Sequence, residues 1–303
     1  EESFVLLKNQ AALLPLKRQE IKYLVLVGES RIPTRQDSGQ YITTLYQNYD
    51  NIGAQNGGWT VTWQGINGNG LWQDQDKQRA DATSLLDGIK KIAPTITLIY
   101  PNYPSKTDHV TEVRRDYFKN LNLLLPKLNS HNTIIVGTLA EVPYSEFMGD
   151  IATPYCTDDK TFDHGCLYNM HFNPYLPKQQ KRTLAIQYSS FDQKVIKVLQ
   201  EKNIPLVTIL ISGRPMIISQ PKGPLQTSQA MIAAWLSGTS GGEALANVLF
   251  GNYHFRQKSN ANTLSLNWVR NMEQLKNYPI YETGEGFVGY QNPLFPIGYG
   301  LSD

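Results

Sequence analysis

The chain has 303 residues, a formal net charge of +2 and only 18% charged residues, which argues against nucleic acid or an anionic membrane as its main partner. A hydrophobic share of 41% argues against wholesale disorder and fits one large globular domain or two small ones. Many Asn, Gln and Tyr replace charge on the surface, which suits neutral partners such as carbohydrate.

In chain order, Ser3-Phe4-Val5-Leu6-Leu7-Lys8-Asn9 reads as the middle of an element, as though something preceded it. With no signal peptide and Glu1 in first place, a mature product or a cut piece is expected. Buried strands are predicted at 23–28, 95–100, 132–137, 206–211 and 230–235, all short apolar runs without clean alternation. Helical patterns fall at 79–91, 112–125, 191–201 and 242–250. This strand–helix alternation predicts an α/β fold with a parallel sheet between helices. The longest apolar run, 206–211, is far too short to span a bilayer, so no membrane span is expected.

Two stretches break the rhythm. Residues 149–181 form a long irregular insertion holding both cysteines, and 251–303 form an irregular tail. A Cys156–Cys166 bridge would close a loop of roughly 11 residues and add about 2–3 kcal/mol. It would fit an oxidising compartment, the alternative being two unrelated thiols. His164 and His171 lie nearby, but their spacing matches no zinc pattern, and no metal or other cofactor is expected.

Chemistry concentrates in two segments. Gly57-Gly58-Trp59-Thr60-Val61-Thr62-Trp63-Gln64-Gly65 sets indole faces beside flexible glycines. Glu141-Val142-Pro143-Tyr144-Ser145-Glu146-Phe147-Met148-Gly149-Asp150 puts three carboxylates directly after the strand at 132–137. In an open α/β sheet ligands bind beyond the carboxyl ends of the strands, so both segments could converge on one edge. Aromatic platforms with a carboxyl of raised pKa are the materials of glycosidic-bond chemistry. The plainer alternative is solvated glutamates and core tryptophans. Arg214, in the Ser212-Gly213-Arg214-Pro215 turn, reads as the partner of a buried carboxylate, with ligand binding as the alternative. No GxxxxGK[ST] or HExxH pattern occurs, and the missing phosphate loop disfavours a nucleotide-binding reading.

These residues, with Leu13-Leu14-Pro15-Leu16, Ala234-Trp235-Leu236, Gly241 to Ala246, Val248 to Gly251 and Pro293 to Leu301 in the same order, resemble the C-terminal domain of glycoside hydrolase family 3. The resemblance covers nearly all of 1–303. It implies a three-layer α/β/α sandwich with a mostly parallel six-stranded sheet, one domain of a larger β-glucosidase or exo-β-glucanase. An N-terminal barrel of the same protein would supply the aspartate nucleophile. The Glu-x-Pro-Tyr-x-Glu-x-x-Gly-Asp loop maps the general acid/base onto Glu146, with Glu141 beside it. Trp63 maps onto the wall that stacks the leaving-side sugar, Trp59 being the second candidate. The implied substrate is a β-glucoside or β-glucan oligosaccharide, and the implied location is periplasmic or secreted. This chain alone, lacking the nucleophile, should be inactive. Ala140 and Met148 depart from the family pattern, as does the length of 149–181. A non-catalytic carbohydrate-binding or interface module is the rival reading.

Overall fold

The computed structural model describes residues 1–35, 41–55, 82–103, 110–141, 184–256, 261–271, 273–274 and 292–303. Its centre is a six-stranded sheet in the order β1-β8-β7-β6-β2-β5. The strands are β1 (Val5–Asn9), β2 (Tyr23–Val27), β5 (Thr97–Ile99), β6 (Thr133–Ala140), β7 (Leu206–Ile211) and β8 (Ala230–Ala233). All neighbours pair in parallel except β1, which runs antiparallel to β8.

The apolar runs form strands because both of their faces are covered. Alternate residues point to opposite faces, so Leu24, Ile134, Val136, Val207 and Ile209 enter one core. Val25, Ile135, Leu206 and Leu210 enter the other. Helices α2 (Leu85–Ile92) and α6 (Gly241–Leu249) cover the first face, while α3 (Val110–Leu124) and α4 (Ser190–Gln200) cover the second. Two short helices, α1 (Ile52–Gln55) and α5 (Pro224–Thr227), lie in connections. The three-layer α/β/α sandwich expected from the sequence is therefore the fold.

Local chemistry sets the helix starts. Ser84 and Asp87 make a reciprocal capping box at α2, with Asp87 N donating to Ser84 Oγ at 3.2 Å and Ser84 N to Asp87 Oδ2 at 3.4 Å. The helix therefore begins at Leu85, later than the predicted 79 (79–81 lie outside the described residues). Helices α2 and α6 meet backbone to backbone, since a Cβ on Gly242 would fall 2.0 Å from the Ser84 carbonyl. Lys91 and Glu243 tie the same pair at 2.8 Å on the surface.

Three further expectations are refined. The strand predicted at 230–235 ends at Ala233, because Trp235 turns into the left-handed region at φ 53° and lays its ring 5.6 Å from that of Trp268. Among the described residues the tail carries no named helix or strand, yet it is anchored at several points. Trp268 is fully buried and donates from Nε1 to Met216 O at 2.8 Å. Leu301 N donates to Leu6 O and Tyr299 OH to Leu7 O, so the tail covers the otherwise open edge of β1. Finally, β3 (Glu29–Arg35) and β4 (Tyr41–Gln47) form a separate antiparallel ribbon that the periodicity did not predict.

The connections decide where a ligand site belongs. From β2 the chain passes through α2 to β5 on one side, then crosses back through α3 to β6 on the other. The two crossovers use opposite faces. The carboxyl ends of β2 and β6 thus flank a topological switch point, where open α/β sheets bind ligands.

Candidate functional site

Glu141 is the first residue beyond β6, and its N–H donates to Ile211 O at 2.9 Å, one more rung of the β6–β7 ladder. Arg214 follows β7 in a turn closed by Ser212 Oγ donating to Arg214 O at 2.8 Å. Parallel neighbours bring their carboxyl-end loops side by side. Arg214 consequently donates to Glu141 Oε1 from Nε at 2.7 Å and approaches it from Nη2 at 2.5 Å. Both side chains are largely buried, at 19% and 6% exposure for Arg214 and Glu141. Such a charge pair is tolerated there because each ion is the other's counter-charge. Of the two readings for Arg214, pairing with a buried carboxylate is the one found.

A second polar cluster borders the switch point from the β2 side. Glu29, directly after Gly28, is buried and paired with Arg114 of α3. Arg114 Nε also donates to Glu29 Oε2 at 3.2 Å, and Tyr103 OH donates to the same oxygen at 3.2 Å. The guanidinium lies 5.0 Å from the Phe191 ring centre. Burial alone would lower the Arg114 pKa, but the bonds to Glu29 and Tyr103 outweigh it and hold it above its ordinary value. Burial raises Tyr103, and Glu29 adds to the effect.

Asp192 in the first turn of α4 joins this cluster. Its Oδ2 accepts the Glu29 N–H at 2.8 Å and the Ser189 hydroxyl at 3.1 Å. Burial pushes its pKa up to about 7, with the Glu29 carboxylate adding to the rise and the hydrogen bonds opposing it. Tyr49 and Tyr117 are buried nearby and raised chiefly by desolvation, then by the Asp192 charge.

Of the residues singled out by the sequence, the structure brings Glu141 and Arg214 together. Glu146, Trp59, Trp63, Cys156, Cys166, His164 and His171 lie outside the described residues. Glu29, Arg114, Tyr103 and Asp192 were not singled out. The signal available for Glu29 was its place immediately after a predicted buried strand, the rule that located Glu141. Among the described residues no group of three or more His, Cys, Asp or Glu could hold a metal ion. No helix among them is long and apolar enough to cross a membrane.

The topology and the anchored carboxylate define a doubly wound α/β module with its topological switch point at the carboxyl rim between β2 and β6. The chain matches the glycosyl hydrolase family 3 C-terminal domain over residues 4–303, and it belongs to that family. It is 24% identical over 312 aligned positions to a lysosomal beta glucosidase of Dictyostelium discoideum, covering 100% of this chain and 28% of that protein. A periplasmic beta-glucosidase of Salmonella typhimurium is 32% identical over 122 residues, 36% of this chain and 15% of the relative. A xylan 1,4-beta-xylosidase of Xylanibacter ruminicola is 31% identical over 119 residues, covering 39% and 13%. Among solved structures, a mutant exo-1,3/1,4-beta-glucanase from a Pseudoalteromonas species shares the fold with a TM-score of 0.54 at 23% identity, covering 99% of this chain and 34% of that one. The chain thus spans about a third or less of the length of these proteins.

Proposed function

We propose that this chain is the second domain of a retaining, exo-acting β-glucosidase or β-glucan glucohydrolase, and that the full-length protein releases terminal β-D-glucosyl residues. The observation that carries this reading is the Glu141–Arg214 pair, which fixes Glu141, a few residues before Glu146 in the sequence, at the carboxyl end of β6. A carboxylate engaged by a guanidinium serves as its counter-charge, whereas a general acid must be free to hand over a proton. Glu141 therefore acts as the anchor, and Glu146 acts as general acid/base. Glu146 protonates the leaving oxygen, then takes a proton from the water that frees the sugar. The attacking carboxylate comes from the N-terminal barrel. Trp63 stacks the leaving-side sugar, with Trp59 as its neighbour. The full-length protein is periplasmic or secreted, in keeping with the periplasmic relative. A Cys156–Cys166 bridge fits such a compartment.

The test uses the full-length protein and Glu146→Gln. Hydrolysis of an oligosaccharide should fall about 100-fold or more, because its leaving group needs protonation. An activated aryl β-glucoside should suffer less. Equal turnover by the variant and the parent on both substrates would refute the assignment. The isolated chain should hydrolyse neither.

A further inference from the structure

Among the described residues the β3–β4 ribbon pairs only with itself, in register from Glu29↔Gln47 to Arg35↔Tyr41. At 7 residues per strand it is about 20 Å long. A two-stranded ribbon is marginal on its own, so its direction depends on its root.

That root is unusually well held. Asn48 N donates to Gly28 O at 2.6 Å and closes the base. Asn48 Nδ2 donates to Thr138 O at 3.1 Å, joining the base to β6. Gly28 itself sits against that carbonyl, where a Cβ would come within 2.2 Å of Thr138 O. Glu29, the first ribbon residue, is clamped by Arg114 of α3 and Tyr103, while its N–H is held by Asp192 of α4. Gln47, opposite it in register, bonds Pro101 O. Thr138 precedes Glu141 by three residues, about 10 Å along the strand. The ribbon therefore leaves the rim beside the segment that carries the candidate acid/base loop.

A buried ion pair adds little stability over an apolar core, yet it constrains geometry strongly. We infer that the Glu29–Arg114 clamp, seated on Asp192, is a positioning device that aims the ribbon along the leaving-group side of the sugar site, making the ribbon a determinant of preference for long saccharide over small aglycone. This rests on the function proposed above. The alternative occupant, the barrel lobe, predicts a different result in the same experiment.

The experiment compares full-length parent, Glu29→Gln and Arg114→Met on an aryl β-glucoside and on a β-glucan oligosaccharide. Deuterium exchange over residues 29–35 and 41–47 is read alongside. Glu29→Gln is the gentler variant, keeping shape and one acceptor should Arg114→Met fold poorly. The inference expects faster exchange in the ribbon in both variants. It also expects KM for the oligosaccharide to rise about fivefold with kcat held, and neither parameter for the aryl glucoside to move by more than about twofold. An equal loss on both substrates, as a barrel-docking ribbon would give, overturns it. So does loosened exchange with no change on either substrate, or unaltered exchange. A parent inert on every β-glycoside would sink the functional reading and this inference with it. An active parent whose variants keep its substrate preference sinks this inference alone.

Discussion

Arg214 reaches from the turn after β7 to Glu141 at the end of β6, with Nε 2.7 Å from Oε1, and so ties together the carboxyl ends of two adjacent strands. Removing the arginine leaves a buried carboxylate without its cation. Arg214→Met should cost about 3 kcal/mol of stability in urea unfolding. Adding Glu141→Gln to it should restore part of the loss, because the stranded charge is gone. Additive losses in the double variant would show that the two residues do not act as a pair.

Asp192 makes stability depend on pH. Its folded pKa is raised to about 7 by burial, against about 4 in the unfolded chain. Between those values the folded state binds more proton than the unfolded state, so stability falls as pH rises. The contribution is complete below about pH 4 and lost by passage through about pH 7, a change on the order of 4 kcal/mol. Asp192→Asn keeps an acceptor for Glu29 N and cannot ionise. Urea midpoints measured from pH 4 to 8 should show a flatter profile for this variant, with its advantage over the parent greatest at the alkaline end. Parallel profiles would refute the assignment.

Gly28 has φ +139° and abuts the Thr138 carbonyl. Any side chain there meets strain and backbone, neither of which yields cheaply. Gly28→Ala should destabilise by about 2–4 kcal/mol. Thermal unfolding beside a surface Gly238→Ala control separates the effects, because Gly238 has positive φ but nothing within 4 Å of the place a Cβ would occupy. Comparable losses in the two would mean that backbone strain alone, without the close approach, accounts for the effect.

Ser84 caps α2 through its hydroxyl. Ser84→Ala should cost about 1 kcal/mol, read by chemical denaturation. Ser84→Thr keeps the hydroxyl but adds a methyl at a fully buried position, so it should not restore the whole loss. Full rescue by threonine would mean that the buried site has room for the extra methyl.

The main strands were legible because burial on both faces demands continuous apolar runs, as in 206–211. Glu141 was legible as a rim residue because it follows such a run. The β3–β4 ribbon was not. Pro33 interrupts its first strand, and proline ordinarily disqualifies a strand reading. It is tolerated here because a two-stranded ribbon consists of edges alone, where a missing donor need not break a ladder. Asp192 was equally hidden, since an acid in the first turn of a helix usually faces water.

The order of apolar runs and helical stretches was sufficient to dictate the layered sheet, because each run has only one way to leave water. Which charges meet was decided by the tertiary structure. Glu141 and Arg214 stand 73 positions apart, and Glu29 and Asp192 stand 163 apart. No local pattern couples such residues, and only the parallel stacking of strand ends, together with the helices laid against them, brings them within bonding distance.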